Sequence, residues 1–292
     1  MYKVDNAVIM AAGVSSRFAP LSYEVPKALT EVRGEVLIER QIKQLRNAGI
    51  PAIYVVVGYK AEQFQYLVDQ FGVQLIYNKE YLTRNNHSSI YAARDVIRNT
   101  YICSADNYFM ENPFEANVPE SYYAAVYAHG ATNEWCMHTD AEGWIDHVEV
   151  GGHDMWYMLG HAFWSEAFSR QLLGFLDEVY DRRETAGLFW EDIFIQHLDV
   201  LRMKMRKYPE HCIFEFDSID ELRGFDESYI TNTRSAIIKQ IASELGCTEQ
   251  DITDIKPCKA TNTSVTGIRF QTPDGYFVYQ YHERILRRDL NV

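Results

Sequence analysis

Three strand-then-helix crossovers open this chain, and they restrict it to folds built on a parallel sheet. Val8–Met10 is a short apolar strand. The spacing then predicts a helix over Val36–Ala48, with Leu37, Ile38, Ile42 and Leu45 on one side and Gly49 as its stop, before the buried strand "IYVVVG" at 53–58. Ala61–Phe71 reads as an amphipathic helix ahead of the strand "VQLIY". Ser88–Arg98 reads as a helix ahead of the strand "YICSAD", which ends at Asp106. Strands alternating with helices in this way are crossover units, with the helices lying against the sheet.

From Tyr122 to Trp164 the texture changes to alternating, aromatic-rich runs split by turn signals such as "DAEG" at 140–143, which predicts antiparallel strands. The expected fold class is therefore α/β with a mixed, mainly parallel central sheet. Helices near 165–181 and 190–198 follow, then strands near 203–208 and 212–216 that stop at Asp217. Composition shifts at about 226–230, placing a boundary between a main domain, 1–228, and an extension, 229–292. The extension reads as a capped amphipathic helix, "TNTRSAIIKQIASELG", and a β-hairpin with "PDG" at its turn.

Charge and cysteine usage narrow the partners. With 28 basic against 41 acidic residues the net charge is −13, which argues against nucleic acid and anionic membrane as partners and requires any anionic ligand to be held by local cations. The apolar run Ala7–Ala12 is too short for a signal-peptide core or a membrane span, so a cytoplasmic location is expected. The five scattered cysteines, without C-x-x-C, fit reduced thiols, and the Asn86 and Asn262 sequons then carry no glycan. His87, His153, His161 and His211 lack metal-ligand spacing and read as surface or structural groups.

The segment "VIMAAGVSSRFAPLSYEVPK" (8–27) carries the first chemistry. Ala11, Ala12 and Gly13, directly past a strand, let a ligand approach the backbone closely. Ser15 and Ser16 add N–H groups and hydroxyls for phosphate oxygens, and Arg17 and Lys27 add positive charge. Pro26 holds Val25 extended, which helps aim Lys27. Asp106 and Asp217, each read at a strand end, are candidates to share one Mg²⁺, although Asp217 before "SIDEL" also reads as a helix N-cap.

The string A-A-G-x-x-S-R-(x9)-P-K after a first strand resembles the signature of the nucleotidyltransferase superfamily, which joins NTPs to phosphorylated acceptors and releases pyrophosphate. Residues 1 to about 226 more closely resemble the bacterial CTP:phosphocholine cytidylyltransferase family, through "MAAGVSSRF", "VPKAL", "VVVGY", "NNHSSIY", "SADNYF", "TNEW", "GLFWED" and "FEFDSIDEL". The resemblance implies a Rossmann-like nucleotidyltransferase fold. It implies that Ala11, Ala12, Gly13, Gly58, Asn86 and Ser89 surround the nucleoside, that Arg17 and Lys27 hold its phosphates, and that Asp106 and Asp217 bind the metal. Ser15 stands where many relatives have glycine.

A quaternary ammonium has no N–H to donate and is best held by aromatic faces beside a carboxylate. Glu134 and Trp135 in "TNEW", and Phe189, Trp190, Glu191 and Asp192 in "FWED", are the acceptor candidates, with Trp135 and Trp190 favoured for the cage by the resemblance. The reaction expected is attack by an acceptor phosphate oxygen on the α-phosphorus of CTP, giving CDP-choline and pyrophosphate. Phosphoethanolamine or 2-aminoethylphosphonate as acceptor, and a non-catalytic nucleotide-binding relative, stay open, as does a homodimer. The stretch "DIKPCKATNTSVTGIRFQTPDGYFVYQY" resembles the opening hairpin of choline-kinase-like domains, and no kinase activity is expected because no kinase catalytic aspartate follows it.

Overall fold

The computed structural model describes residues 1–261 and 264–289, so the Asn262 sequon lies outside the described residues. Strand β1 (Asn6–Ala11) is buried along nearly its whole length, as a central strand covered on both faces must be. It pairs in parallel with β2 (Ala52–Val57) on one side, and β2 pairs in parallel with β3 (Gln74–Tyr77). Helices α1 (Leu37–Asn47), α2 (Tyr66–Phe71) and α3 (His87–Ala93) form the crossovers. After α3 the chain returns past β1, and β4 (Thr100–Ser104) pairs with the other edge of β1. The connections that leave β1 and β4 thus run to opposite sides, which makes the boundary between the C-terminal ends of these two strands the sheet's switch point.

A long antiparallel hairpin completes the sheet. β5 (Tyr122–Thr139) pairs with β6 (Ile145–Trp164) through several bulges, β6 runs antiparallel to β4, and β7 (Lys204–Lys207) is parallel to β5. The seven-stranded order is β7-β5-β6-β4-β1-β2-β3. Helices α4 (Glu166–Val179), capped by Ser165, and α5 (Trp190–Gln196) pack on it. Val8, Ile102, Trp164, Phe168, Leu172, Trp190 and Phe194 belong to one continuous core.

Contacts divide the chain into two units: 1–13 with 38–215, and 14–37 with 216–292. These limits differ from a cut at 228/229, because residues 14–37 associate with the C-terminal part. Within that second unit Tyr229 donates its hydroxyl to the Glu31 carbonyl, and Asp226 accepts the Arg33 N–H at 2.7 Å. Helix α6 (Ile219–Phe225) is capped by Ser218, and α7 (Ala236–Leu245) is capped by Ser235 and ends at left-handed Gly246.

Several expectations need correction. The extension holds the expected helix, α7, and the expected hairpin, β9 (Val265–Thr272) with β10 (Gly275–Gln280), but β8 (Thr253–Lys259) and β11 (Ile285–Arg288) widen that hairpin into a four-stranded antiparallel sheet. The helix expected at Ala61–Phe71 is a 3₁₀ turn, Ala61–Phe64, followed by α2, and that expected to reach Arg98 ends at Ala93. Strands β4 and Ile213–Phe214 stop short of Asp106 and Asp217, which lie in the following turns. Ser218, not Asp217, is the N-cap of α6. Among the described residues no helix is long and apolar enough to cross a membrane.

Gly58 follows β2, where a Cβ would stand only 2.6 Å from the Tyr81 ring. Gly58→Ala is therefore expected to lower stability by about 1–3 kcal/mol through overpacking. In urea melts, the double variant with Tyr81→Ala should lose less than the sum of the single losses; strict additivity would contradict the clash.

Candidate active site

At the switch point the first unit supplies small residues and a carboxylate. Ala11 and Ala12 are buried immediately past β1, and the Ala12 carbonyl accepts the Tyr59 N–H at 3.0 Å, tying the loops after β1 and β2 together. A Cβ on Gly13 would meet no protein atom within 4 Å and its φ is not left-handed, so the fold does not require glycine there.

Asp106 is half-buried two residues beyond β4, and α1 fastens both sides of its segment. Gln41 Nε2 donates to the Ser104 carbonyl at 3.0 Å, while Arg40 donates to the Phe109 and Met110 carbonyls at 2.9 and 2.8 Å. The apolar side of α1, with Ile38, Ile42 and Leu45, is buried. One helix thus anchors the core by one face and the Asp106 loop by the other. Neighbouring Asn107 is buried with both amide atoms unpaired, a group sequence reading passed over.

A second constellation in this unit joins two distant motif strings. "NNHSS" at the start of α3 is stitched to "GLFW" before α5: Asn85 N–H donates to the Ala186 carbonyl at 2.9 Å, its Nδ2 donates to Gly187, and His87 Nδ1 meets the Leu188 carbonyl. Asn86 accepts the Trp190 N–H at 2.8 Å through Oδ1 and donates to Glu191 Oε2 at 3.0 Å through Nδ2. Tyr123, absent from the sequence-derived set, donates its hydroxyl to Glu191 Oε1 at 3.2 Å. Burial outweighs these hydrogen bonds and pushes the Glu191 carboxyl up to about 7, and it also raises the Tyr123 phenol well above its ordinary value.

The aromatic candidates separate. Trp190 is 1 % exposed, stacked on Tyr123 with centroids 5.6 Å apart and edge-on to Trp164 at 4.8 Å, so it braces the Glu191 cluster from within the core. Trp135 is half-buried and meets partly exposed Phe189 edge-to-face at 5.6 Å. Glu134 is exposed. Asp192 accepts the Phe189 N–H at 2.7 Å and so caps α5. Ser89 is buried and accepts from Asn78 at 3.2 Å, while the space beside Gly58 is taken by Tyr81.

The second unit holds the cations. Val25 is extended, as a residue before proline should be, and Lys27 opens the next 3₁₀ turn. Ser15 is left-handed at φ 50°, a conformation glycine takes readily, and it precedes the turn Ser16–Phe18 that carries Arg17. Asp217 is paired with Arg17 Nη1 at 2.7 Å and with Lys27 Nζ at 3.3 Å. The Lys27 side chain is 4 % exposed and that of Arg17 71 %, so the lysine is a fixed charge and the arginine an accessible one.

His87 and His161 are buried, with His161 hydrogen-bonded to the Tyr122 hydroxyl at 2.8 Å, and His153 and His211 are exposed. These positions suit structural and surface roles.

Glu191 ordinarily titrates near 4.5. Because folding raises that value, its contribution to stability is complete below about 4.5 and is lost as pH climbs to about 7. Glu191→Gln should therefore gain thermal stability relative to the native chain over that interval and hold a constant advantage above it. Thermal melts across the range test this, and a difference independent of pH would contradict it.

Known proteins resemble the chain in both sequence and structure. A family model described as MobA-like NTP transferase domain matches residues 7–183. The choline-phosphate cytidylyltransferase of Streptococcus pneumoniae is 32 % identical over 222 residues, 76 % of this chain and 97 % of that protein. The 2-aminoethylphosphonate cytidylyltransferase of Lancefieldella rimae is 38 % identical over 234 residues, 79 % of this chain and 95 % of that protein. Among solved structures, the CTP:phosphocholine cytidylyltransferase from Streptococcus pneumoniae matches with a TM-score of 0.74 at 32 % identity, covering 78 % of this chain and 99 % of that one. A glucose-1-phosphate thymidylyltransferase-type structure from Bacillus anthracis, 14 % identical with a TM-score of 0.64, shares the fold.

Proposed function

This chain belongs to the MobA-like NTP transferase family and is a nucleotidyltransferase of the cytidylyltransferase kind, and from that premise we propose that it transfers CMP from CTP to phosphocholine. The observation that carries the acceptor is the carboxylate of Glu191, held by Asn86 and Tyr123, two residues along the chain from the accessible Trp135–Phe189 ring pair. A trimethylammonium group is stabilised by ring faces and a nearby anion without hydrogen bonds.

An acceptor phosphate oxygen attacks the α-phosphorus of CTP and pyrophosphate departs. A phosphate monoester has a second pKa of roughly 6 and is its own nucleophile at neutral pH, so no side-chain base is needed. Arg17, with a planar fork, and Lys27, with a point charge, offset charge gathering on the leaving pyrophosphate. Ala11, Ala12 and Gly13 give the nucleotide a bare backbone to lie against. Were Mg²⁺ to bind, Asp106 and Asp217, each partly exposed, would each offer the hard oxygen ligand this ion prefers. Bound there, the ion would withdraw charge from the phosphates.

A second reading is favoured by the 38 % identity to a 2-aminoethylphosphonate cytidylyltransferase. A primary ammonium would donate N–H bonds to Glu191 rather than rely on ring faces. Pyrophosphate release with CTP and phosphocholine, phosphoethanolamine or 2-aminoethylphosphonate decides between them. The proposal expects kcat/KM highest for phosphocholine, and a tenfold or greater preference for either primary amine, about 1.4 kcal/mol, would overturn it.

A further inference from the structure

We propose that the β5–β6 hairpin carries a binding site for a divalent transition-metal cation of the zinc class, formed by His138, His147 and Glu149. His138 and His147 are directly opposed across the antiparallel pair, and Glu149, two residues after His147, returns to the same face. One ligand atom from each of the three lies within 4.8 Å of the others. The His138 and His147 ring centroids are 5.3 Å apart, and His138 Nε2 stands 2.7 Å from Glu149 Oε1. Zinc-ligand bonds of about 2.0–2.2 Å put neighbouring ligands of a tetrahedral ion roughly 3.3–3.6 Å apart. Small side-chain rotations open this trio to that spacing, and the ion takes the place of the hydrogen bonded between His138 and Glu149.

The backbone beneath the trio is braced. Asp140 closes the turn by accepting the Glu142 and Trp144 N–H groups at 2.9 and 3.0 Å and is ion-paired with Arg202 at 2.9 Å. Met137 and Ile145, which flank the histidine pair, are buried, and Trp144 forms a bridge with Lys204. Ligands borne on a paired and anchored hairpin lose little freedom when an ion binds.

The donor set selects the ion. Two imidazoles and a carboxylate suit Zn²⁺, Co²⁺, Ni²⁺ or Cu²⁺, whereas Mg²⁺ takes oxygen donors and keeps much of its water. With only three protein ligands, and His147 and Glu149 exposed, a fourth position stays available to solvent. None of the three residues has a role in the cytidylyl transfer described above, so the site stands apart from that reading.

The test titrates the full chain, free of any polyhistidine tag and stripped of metal, with Co²⁺ in excess Mg²⁺, followed by visible absorption and then displacement by Zn²⁺. One equivalent of Co²⁺ should bind with a ligand-field spectrum that Zn²⁺ abolishes. His138→Ala and His147→Ala should each weaken binding by more than about a hundredfold, beyond what losing an outer hydrogen-bond partner costs. His153→Ala should bind as the native chain does, and far-UV dichroism verifies that all variants are folded. Absence of saturable binding in the native chain, binding that survives His138→Ala/His147→Ala, or an equal loss in His153→Ala would overturn the proposal.

Discussion

The parallel pairing of β1 with β4 on one edge and β2 on the other determines much of the first unit's chemistry. It sends the connections that leave β1 and β4 to opposite sides, which sets the sheet's switch point between these two strands. Ala11, Ala12 and Gly13 keep one loop free of side chains, and α1 clamps the other through Gln41 and Arg40, leaving Asp106 between two fixed ends. Fixed ends for the segment that bears Asp106 suit a reaction based on alignment.

Electrostatics in the second unit follow a simple hierarchy. The Arg17–Asp217 pair involves a mostly exposed guanidinium and is worth at most about 1 kcal/mol, so an incoming anion displaces it at little cost. The Lys27 amine is buried against the same carboxylate, where charge is screened less and losing a partner costs more. Lysine therefore stays while arginine can exchange partners. In a chain of net charge −13, a local pair of cations of this kind is what the proposed function needs to hold a polyphosphate.

Legibility in the sequence tracked burial. β1, β2 and β4 and the inward side of α1 were readable because uninterrupted apolar runs and 3.6-residue spacing admit few alternatives. The ends of elements were not, since Asp106 and Asp217 lie beyond the last ladder hydrogen bonds, which side-chain identity does not reveal. The sheet at the C-terminus was half hidden for a reason of its own. Its two edge strands are β8, with Pro257 inside it, and β11, the short basic "ILRR"; both carry features that protect an edge and weaken a strand pattern. In the site, Trp190 and Glu191 were visible in one string, but Tyr123, from an alternating strand far away, has no local mark of its hydrogen bond to Glu191. The His138–His147 pair is equally cryptic, because it depends on cross-strand register.

Under the proposed function, nucleotidyl transfer depends on the carboxylate presented after β4. The most direct measurement is the turnover rate of pyrophosphate release from CTP by Asp106→Asn, with thermal melting as a control for folding. The predicted result is a fall in kcat of at least about a hundredfold with an unchanged melting temperature, the scale typical of losing a key charge-stabilising group. A rate near that of the native chain would contradict the claim.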